Sequence, residues 1–234
     1  MANRHIRIAS YNIRKARGLD QKRRPERTLA VINALQADIV LLQEADKRMG
    51  QRHPAIPRDM IAAETDFHLV DVCANGISLG WHGNAILVRD PQQVAAVTRL
   101  DVPGLEPRGA VRMDLDVAGG ITVVATHLGL RRRDRQAQLT TLANVTKDSS
   151  RVVIAGDFNE WSAQKGLDPL QGRFDIHTPG HSFHARRPIA ALDRFALTRD
   201  LELRDAGVAQ GVLARRASDH LPIWSDVEPA ALTR

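Results

Sequence analysis

Asp157 and Asn159 end the apolar run Val152 to Gly156, and as residues i and i+2 of an extended segment they point the same way. A carboxylate beside an amide at a strand end can take a proton from water while the amide positions it. The same residue types also make turns, and this motif alone does not separate the two readings. Asp219-His220 sets an acid beside an imidazole that can be charged near neutral pH, suited to stabilising a phosphoryl oxygen or protonating a leaving group. A capping Asp next to a surface His fits that pair as well. His127 follows the run Ile121 to Thr126, Glu44 follows Ile39 to Gln43, and Asn12 follows Ile6 to Tyr11. A strand-end carboxylate is costly to bury unless a cation compensates it, and a hard divalent ion with oxygen ligands, Mg²⁺ or Mn²⁺, would do so. Singly, each of these residues also fits a strand-ending turn. Jointly, five strand ends carry groups suited to metal and phosphate chemistry, and catalytic groups gather at one edge of a rigid scaffold.

The elements that must hold these groups are mostly strands. Short β-branched runs predict strands at Ile6 to Tyr11, Ile39 to Gln43, Phe67 to Val72, Ala85 to Val88, Val94 to Leu100, Ala110 to Val117, Ile121 to Thr126 and Val152 to Ala155. Further strands are predicted at Leu192 to Leu197, Leu201 to Ala206 and Leu221 to Val227. Gly119-Gly120 between two alternating runs predicts a β-hairpin and so an antiparallel pair. Pro25 to Leu35, with Leu29, Ile32 and Leu35 on one face, and Arg135 to Val145, with Leu139, Leu142 and Val145, predict surface helices. Strands that outnumber helices in this way favour two packed sheets covered by helices over a wound parallel sheet.

The 234 residues, 43% apolar, suffice for a full core, and no repeat or linker divides them, so one domain over residues 1–234 is expected. Thirty-three Lys and Arg against 27 Asp and Glu give a net charge of +6, which favours anionic partners. Aromatic residues make up only 4%, which counts against a stacking platform for single-stranded nucleic acid. A lone cysteine, Cys73, excludes an internal disulfide and fits a reducing compartment. No export signal is visible and no run of about 18 apolar residues occurs, so a cytoplasmic protein without a membrane span is expected.

In this order, Ser10-Tyr11-Asn12, Leu42-Gln43-Glu44, Gly83-Asn84-Ala85-Ile86-Leu87, Thr126-His127-Leu128, Gly156-Asp157-Phe158-Asn159 and Ser218-Asp219-His220-Leu221-Pro222 cover nearly the whole chain. Together they resemble the endonuclease/exonuclease/phosphatase (DNase I-like) superfamily in a compact bacterial form. The resemblance implies an α/β fold, a four-layered α/β/β/α sandwich with two packed mixed sheets and the site at one end. It implies Glu44 as principal metal ligand with Asn12 and Asp219 beside it, and Asp157 and Asn159 handling the attacking water. It further implies His220 on the scissile phosphate, oriented by Asp193, which without the resemblance reads as an exposed loop acid. Thr126-His127-Leu128 resembles the branch of DNase I-like nucleases, sphingomyelinases, inositol polyphosphate phosphatases and deadenylases. Abasic-site endonucleases use a tyrosine and an asparagine in this region, whereas Tyr11 is the only tyrosine here. The acid that supports the equivalent of His127 in DNase-like members is missing: the matching stretch reads Trp81-His82-Gly83-Asn84.

The expected activity is metal-dependent hydrolysis of a phosphodiester, of nucleic acid or phospholipid type, by in-line attack of water, with Mg²⁺ or Mn²⁺ as cofactor and no obligate protein partner. Phosphomonoester hydrolysis, and anion binding without catalysis, are the alternatives. Arg108 and Arg112 are candidates for substrate phosphate because guanidinium forks match phosphate oxygens, although both also fit an edge strand in solvent. Arg131, Arg132, Arg133 and Arg135 crowd the unfavourable end of a helix dipole, which a bound anion would explain; Asp134 can also cap that helix. His177, His181 and His184 form a looser cluster, better suited to a substrate-facing loop than to zinc.

Overall fold

The computed structural model describes residues 5–162 and 165–231. Twelve strands are assigned: β1 (Ile6–Asn12), β2 (Ile39–Gln43), β3 (His68–Leu69), β4 (Ala85–Val88), β5 (Val94–Asp101), β6 (Gly109–Leu115), β7 (Ile121–His127), β8 (Val152–Asp157), β9 (Phe174–His177), β10 (Asp193–Thr198), β11 (Leu201–Val208) and β12 (Ile223–Pro229). The α-helices are α1 (Pro25–Ala34), α2 (Arg58–Glu64), α3 (Arg132–Val145) and the short α4 (Ala214–Ala217). One six-stranded sheet runs β11-β12-β1-β2-β4-β3, the other β5-β6-β7-β8-β10-β9. Both are mixed. β1–β2 and β7–β8 are parallel, bridged by α1 and α3 as parallel neighbours require, and the other pairs are antiparallel.

Side-chain alternation builds the layers. Ile8 and Leu41 face Val123, Ala125, Val153 and Phe195 across the space between the sheets. Ala9, Tyr11, Val40 and Leu42 point the other way, onto Leu29 and Ile32 of α1. On the second sheet Val124, Val152 and Ile154 face outward onto Leu139 and Leu142 of α3. Each of those two leucines is fully buried, worth about 1.5–3 kcal/mol of transfer free energy. The result is the expected four-layered α/β/β/α sandwich.

The expected hairpin at Gly119-Gly120 joins β6 and β7, with Leu115 opposite Ile121. Two expectations change. The run Phe67 to Val72 pairs as a ladder only over β3, although Val70 and Val72 still drop into the inter-sheet core. The last strand starts at Ile223, so Asp219 and His220 stand on the connection leading into it. α2 and β9 were not expected; at seven and four residues they are too short for a periodic pattern to stand out. No described helix is long and apolar enough to cross a membrane.

Gly156 is the tightest point of the scaffold. Its φ of +152° is open to glycine, and a Cβ there would lie 1.8 Å from the Thr126 carbonyl oxygen on the neighbouring strand. Gly156→Ala is expected to cost about 3 kcal/mol or more and to lower the melting midpoint by roughly 6–12 °C, measured by calorimetry. An unchanged midpoint would show that β7 and β8 separate here without penalty.

Candidate active site

The candidate residues meet because of strand direction. Asn12, His127 and Asp157 are the last residues of β1, β7 and β8, and Glu44 follows β2. Strands β10 and β12 run opposite to their neighbours, so their beginnings lie at the same edge. Asp193, the first residue of β10, is therefore directly across from Asp157. Glu44 (φ +54°) and Asn159 (φ +51°) both turn the chain through the left-handed region, sparsely populated for residues other than glycine and often found at functional sites.

Asp157 is the hub. Its Oδ2 accepts from Asn12 Nδ2 at 2.9 Å, lies 3.4 Å from His127 Nε2 and 3.6 Å from His220 Nε2, while Oδ1 accepts from the Asn159 amide at 2.9 Å. The Asn159 side chain donates to the Leu128 carbonyl at 2.8 Å, which fixes its amide plane. His220 Nδ1 and Asp193 Oδ2 are 2.7 Å apart, and Ser182 Oγ donates to the same carboxylate oxygen at 2.5 Å. Asp157, Asp193 and His220 are all buried.

Burial pushes the Asp157 carboxyl up to about 6, with the nearby Asp193 adding to it; the His220 charge and the Asn12 bond offset only part. For His220 burial works against the charge, but the flanking carboxylates of Asp193 and Asp157 prevail and raise it to about 10. His127 is held well below its ordinary value by burial and by the charges of Arg108 and His220. The site thus sets one charged and one neutral imidazole beside one carboxylate. Asp193→Asn removes the closest anion from His220 and is expected to lower its pKa by roughly 1–3 units, read by NMR titration. An unshifted titration would mean that Asp193 does not govern the charge.

Two donor sets could hold a metal. Asp157, Asp193 and His220 bring ligand atoms within 4.8 Å of one another. In this set His220 already engages Asp193 through Nδ1 at 2.7 Å, and its Nε2 faces Asp157 at 3.6 Å. The set expected from the sequence is Glu44, Asp219 and Asn12, all hard oxygen donors. Its two carboxylates already attract cations: Lys15 Nζ contacts Glu44, and Arg14 Nε lies 3.3 Å from Asp219 Oδ2. Asn12 Oδ1 accepts from the Arg14 amide at 3.1 Å and keeps a second lone pair.

A cleft opens beside Glu44 and His127, walled by Lys15, Lys47, Arg48, Arg52, His82 and Arg108, among others. Arg108 is 8% exposed and pairs with Glu106 at 2.9 Å. On the other flank Trp161, 63% exposed, meets Phe183 edge-on at 6.0 Å, and the Phe183 ring lies 5.0 Å from that of His220. Scarce as aromatics are, two of them make a ledge beside the charged imidazole.

Two arginines leave the candidate set. Arg112 faces α3 and is committed to Asp114 (3.1 Å), the Val145 carbonyl (2.9 Å) and Ser149 Oγ (3.0 Å). Arg131 is the exposed residue preceding α3 and is no part of the cleft wall. From the same basic run, Arg135 is buried against Glu160 and the Leu130 carbonyl, and Asp134 accepts from the Leu105 amide instead of capping α3. His177, His181 and His184 form no metal-donor group among the described residues. The residues that sequence reasoning missed are Lys15, Ser182, Lys47, Arg48, Arg52 and the Trp161–Phe183 pair. Only Lys15 had a local signal, being three residues past Asn12.

Residues 9–220 match the model of the Endonuclease/Exonuclease/phosphatase family. The chain is 31% identical over 220 residues to the uncharacterized protein YbhP of Escherichia coli strain K12, covering 84% of this chain and 85% of that one. The fold is similar to an endonuclease/exonuclease/phosphatase from Beutenbergia cavernae (TM-score 0.76, 21% identity, 98% of this chain and 72% of that one). It is also similar to D. rerio TDP2 complexed with a single-strand DNA product (0.74, 17%, 97% and 100%) and to the human Nocturnin catalytic domain with bound sulfate (0.70, 19%, 97% and 96%).

Proposed function

Because the chain belongs to the Endonuclease/Exonuclease/phosphatase family, we propose that it hydrolyses phosphodiesters by direct attack of water, with Asp157 as base and His220 on the phosphate. The observation that carries this reading is the convergence of Asn12, His127, Asn159 and His220 on the single buried carboxylate of Asp157.

Asp157, raised to about 6, is mostly ionised at neutral pH yet basic enough to accept a proton. It takes one proton as the water oxygen bonds to phosphorus, and the ester oxygen departs on the opposite side and takes its proton from solvent. The Asn12 amide and the Asn159 backbone fix the angle of that carboxylate. His220, charged and braced by Asp193, donates to a non-bridging oxygen whose negative charge grows during attack. His127 is neutral and serves as a hydrogen-bond donor instead of a proton source. Glu44, Asp219 and Asn12 would hold a magnesium or manganese ion, which when bound supplies charge neutralisation at the phosphate and leaving oxygen. Arg108, beside both Glu44 and Asp157 electrostatically, adds a fixed positive charge.

The test is a panel of bis(p-nitrophenyl) phosphate, p-nitrophenyl phosphate, oligonucleotides and phospholipid-type diesters, each with Mg²⁺, Mn²⁺ or chelator. Metal-dependent turnover of diesters in preference to monoesters is expected. Preference for monoesters would replace the diester reading with phosphomonoester hydrolysis. No turnover combined with metal-independent binding would leave an anion-binding module.

A further inference from the structure

The acids of the cleft are already spent. Asp46 accepts from the amides of Leu79 (2.6 Å) and Gly80 (3.2 Å), Glu44 is met by Lys15, and Glu106 is shared by Arg48 (2.8 Å) and Arg108 (2.9 Å). Glu106 also accepts from the Leu130 amide at 2.9 Å. Lys47 and Arg52 line the same cleft with no ion-pair partner among the described residues. Arg108 is more than nine-tenths buried, and its Nε meets no acceptor. A buried guanidinium with an unmet donor, lining one cleft with two cations that no carboxylate reaches within ion-pair distance among the described residues, leaves a surplus of positive charge that an oxyanion would offset. The cleft wall includes Glu44 and His127 but none of Asp157, Asp193 and His220, so it adjoins the attacking carboxylate on the Glu44 side.

We infer that Lys47, Arg52 and Arg108 form a subsite for a second phosphate of the substrate, beside the scissile one on the Glu44 side. This rests on the hydrolytic reading of the site and narrows the substrate to a molecule with two neighbouring phosphates. A terminal phosphate and the next phosphodiester of a strand both present non-bridging oxygens to these cations.

Two arms test it. In chelator, calorimetry with inorganic pyrophosphate is expected to show binding that weakens at least tenfold in Lys47→Gln/Arg52→Gln. Equal affinity in the two proteins, or none in the unsubstituted one at millimolar pyrophosphate, overturns the subsite. Should the double variant not fold, the single variants are each expected to weaken binding about threefold, and unchanged affinity in both has the same meaning. The second arm compares the p-nitrophenyl ester of thymidine 5′-phosphate with the same ester bearing a 3′-phosphate or a 3′-methyl phosphodiester. The ratio of kcat/KM for the doubly over the singly phosphorylated ester is expected to fall about tenfold in the variant, and an unchanged ratio overturns the subsite. Loss of preference for the 3′-phosphate alone identifies a terminal phosphate, and for both forms a strand. Absence of turnover on every ester counts against the hydrolytic reading, while the calorimetric arm still decides the subsite.

Discussion

Asp157→Asn is expected to lower kcat about 10³- to 10⁴-fold and at the same time to make the metal-free protein more stable at neutral pH. The first effect follows from removing the base that sits at the centre of the network, with its neighbours left in place. The second follows from burial. A carboxyl raised from 3.8 to about 6 by folding binds protons more tightly in the native than in the unfolded chain. Its contribution is fully present below pH 3.8 and is lost as pH rises through about 6, leaving a buried charge that costs roughly 3 kcal/mol at most. That cost already includes the attraction of His220, but the asparagine also takes an anion away from the charged His220, so a net gain of only about 1 kcal/mol is expected in the variant, a few degrees in melting midpoint. In chelator, the unsubstituted protein should gain stability relative to the variant as pH falls from 7 to 5. A variant that keeps more than a tenth of its turnover would remove Asp157 from the role of base, and one that melts lower would show the carboxylate to be a net support of the fold.

Removal of the metal is expected to have an effect of the same order. Chelation should abolish turnover and added Mg²⁺ or Mn²⁺ should restore it. Glu44→Gln should weaken Mn²⁺ binding at least tenfold and cut kcat/KM by about 10²–10³. The Glu44 side chain is only about a quarter exposed and contacts Lys15, so the amide keeps its size and place while losing the charge. Mn²⁺ titration followed by electron paramagnetic resonance reads the binding directly. Undiminished Mn²⁺ affinity in Glu44→Gln would move the ion to another donor set.

Much of this was legible in the sequence because the strands that lead to Asn12, Glu44, His127 and Asp157 are short, mostly apolar runs that stop where a polar group begins. Asp193 was illegible on local grounds. It begins a strand, and it reaches the site only because β10 runs antiparallel to β8, a long-range pairing that no window of residues encodes. Lys47 and Arg52 have the types and spacing of ordinary surface cations, and only the closure of the 46–54 segment, where Asp46 bridges to Pro54, brings them to the cleft. Arg112 misled for a related reason: an arginine in an alternating strand looks exposed until the helix that it anchors is known. Arg131 misled because a basic run before a helix suggests an anion, whereas Arg135 of that run already finds Glu160.

The hydrogen bond from Asn12 to Asp157 joins the end of one sheet to the end of the other. Glu44, Asp219 and His220 adjoin the first sheet, while His127, Asp157 and Asp193 belong to the second. A chain in which either sheet has formed alone therefore owns half a catalyst. On the proposed reading hydrolysis requires both sheets docked together, so a partly unravelled copy would be chemically harmless to the phosphoesters around it.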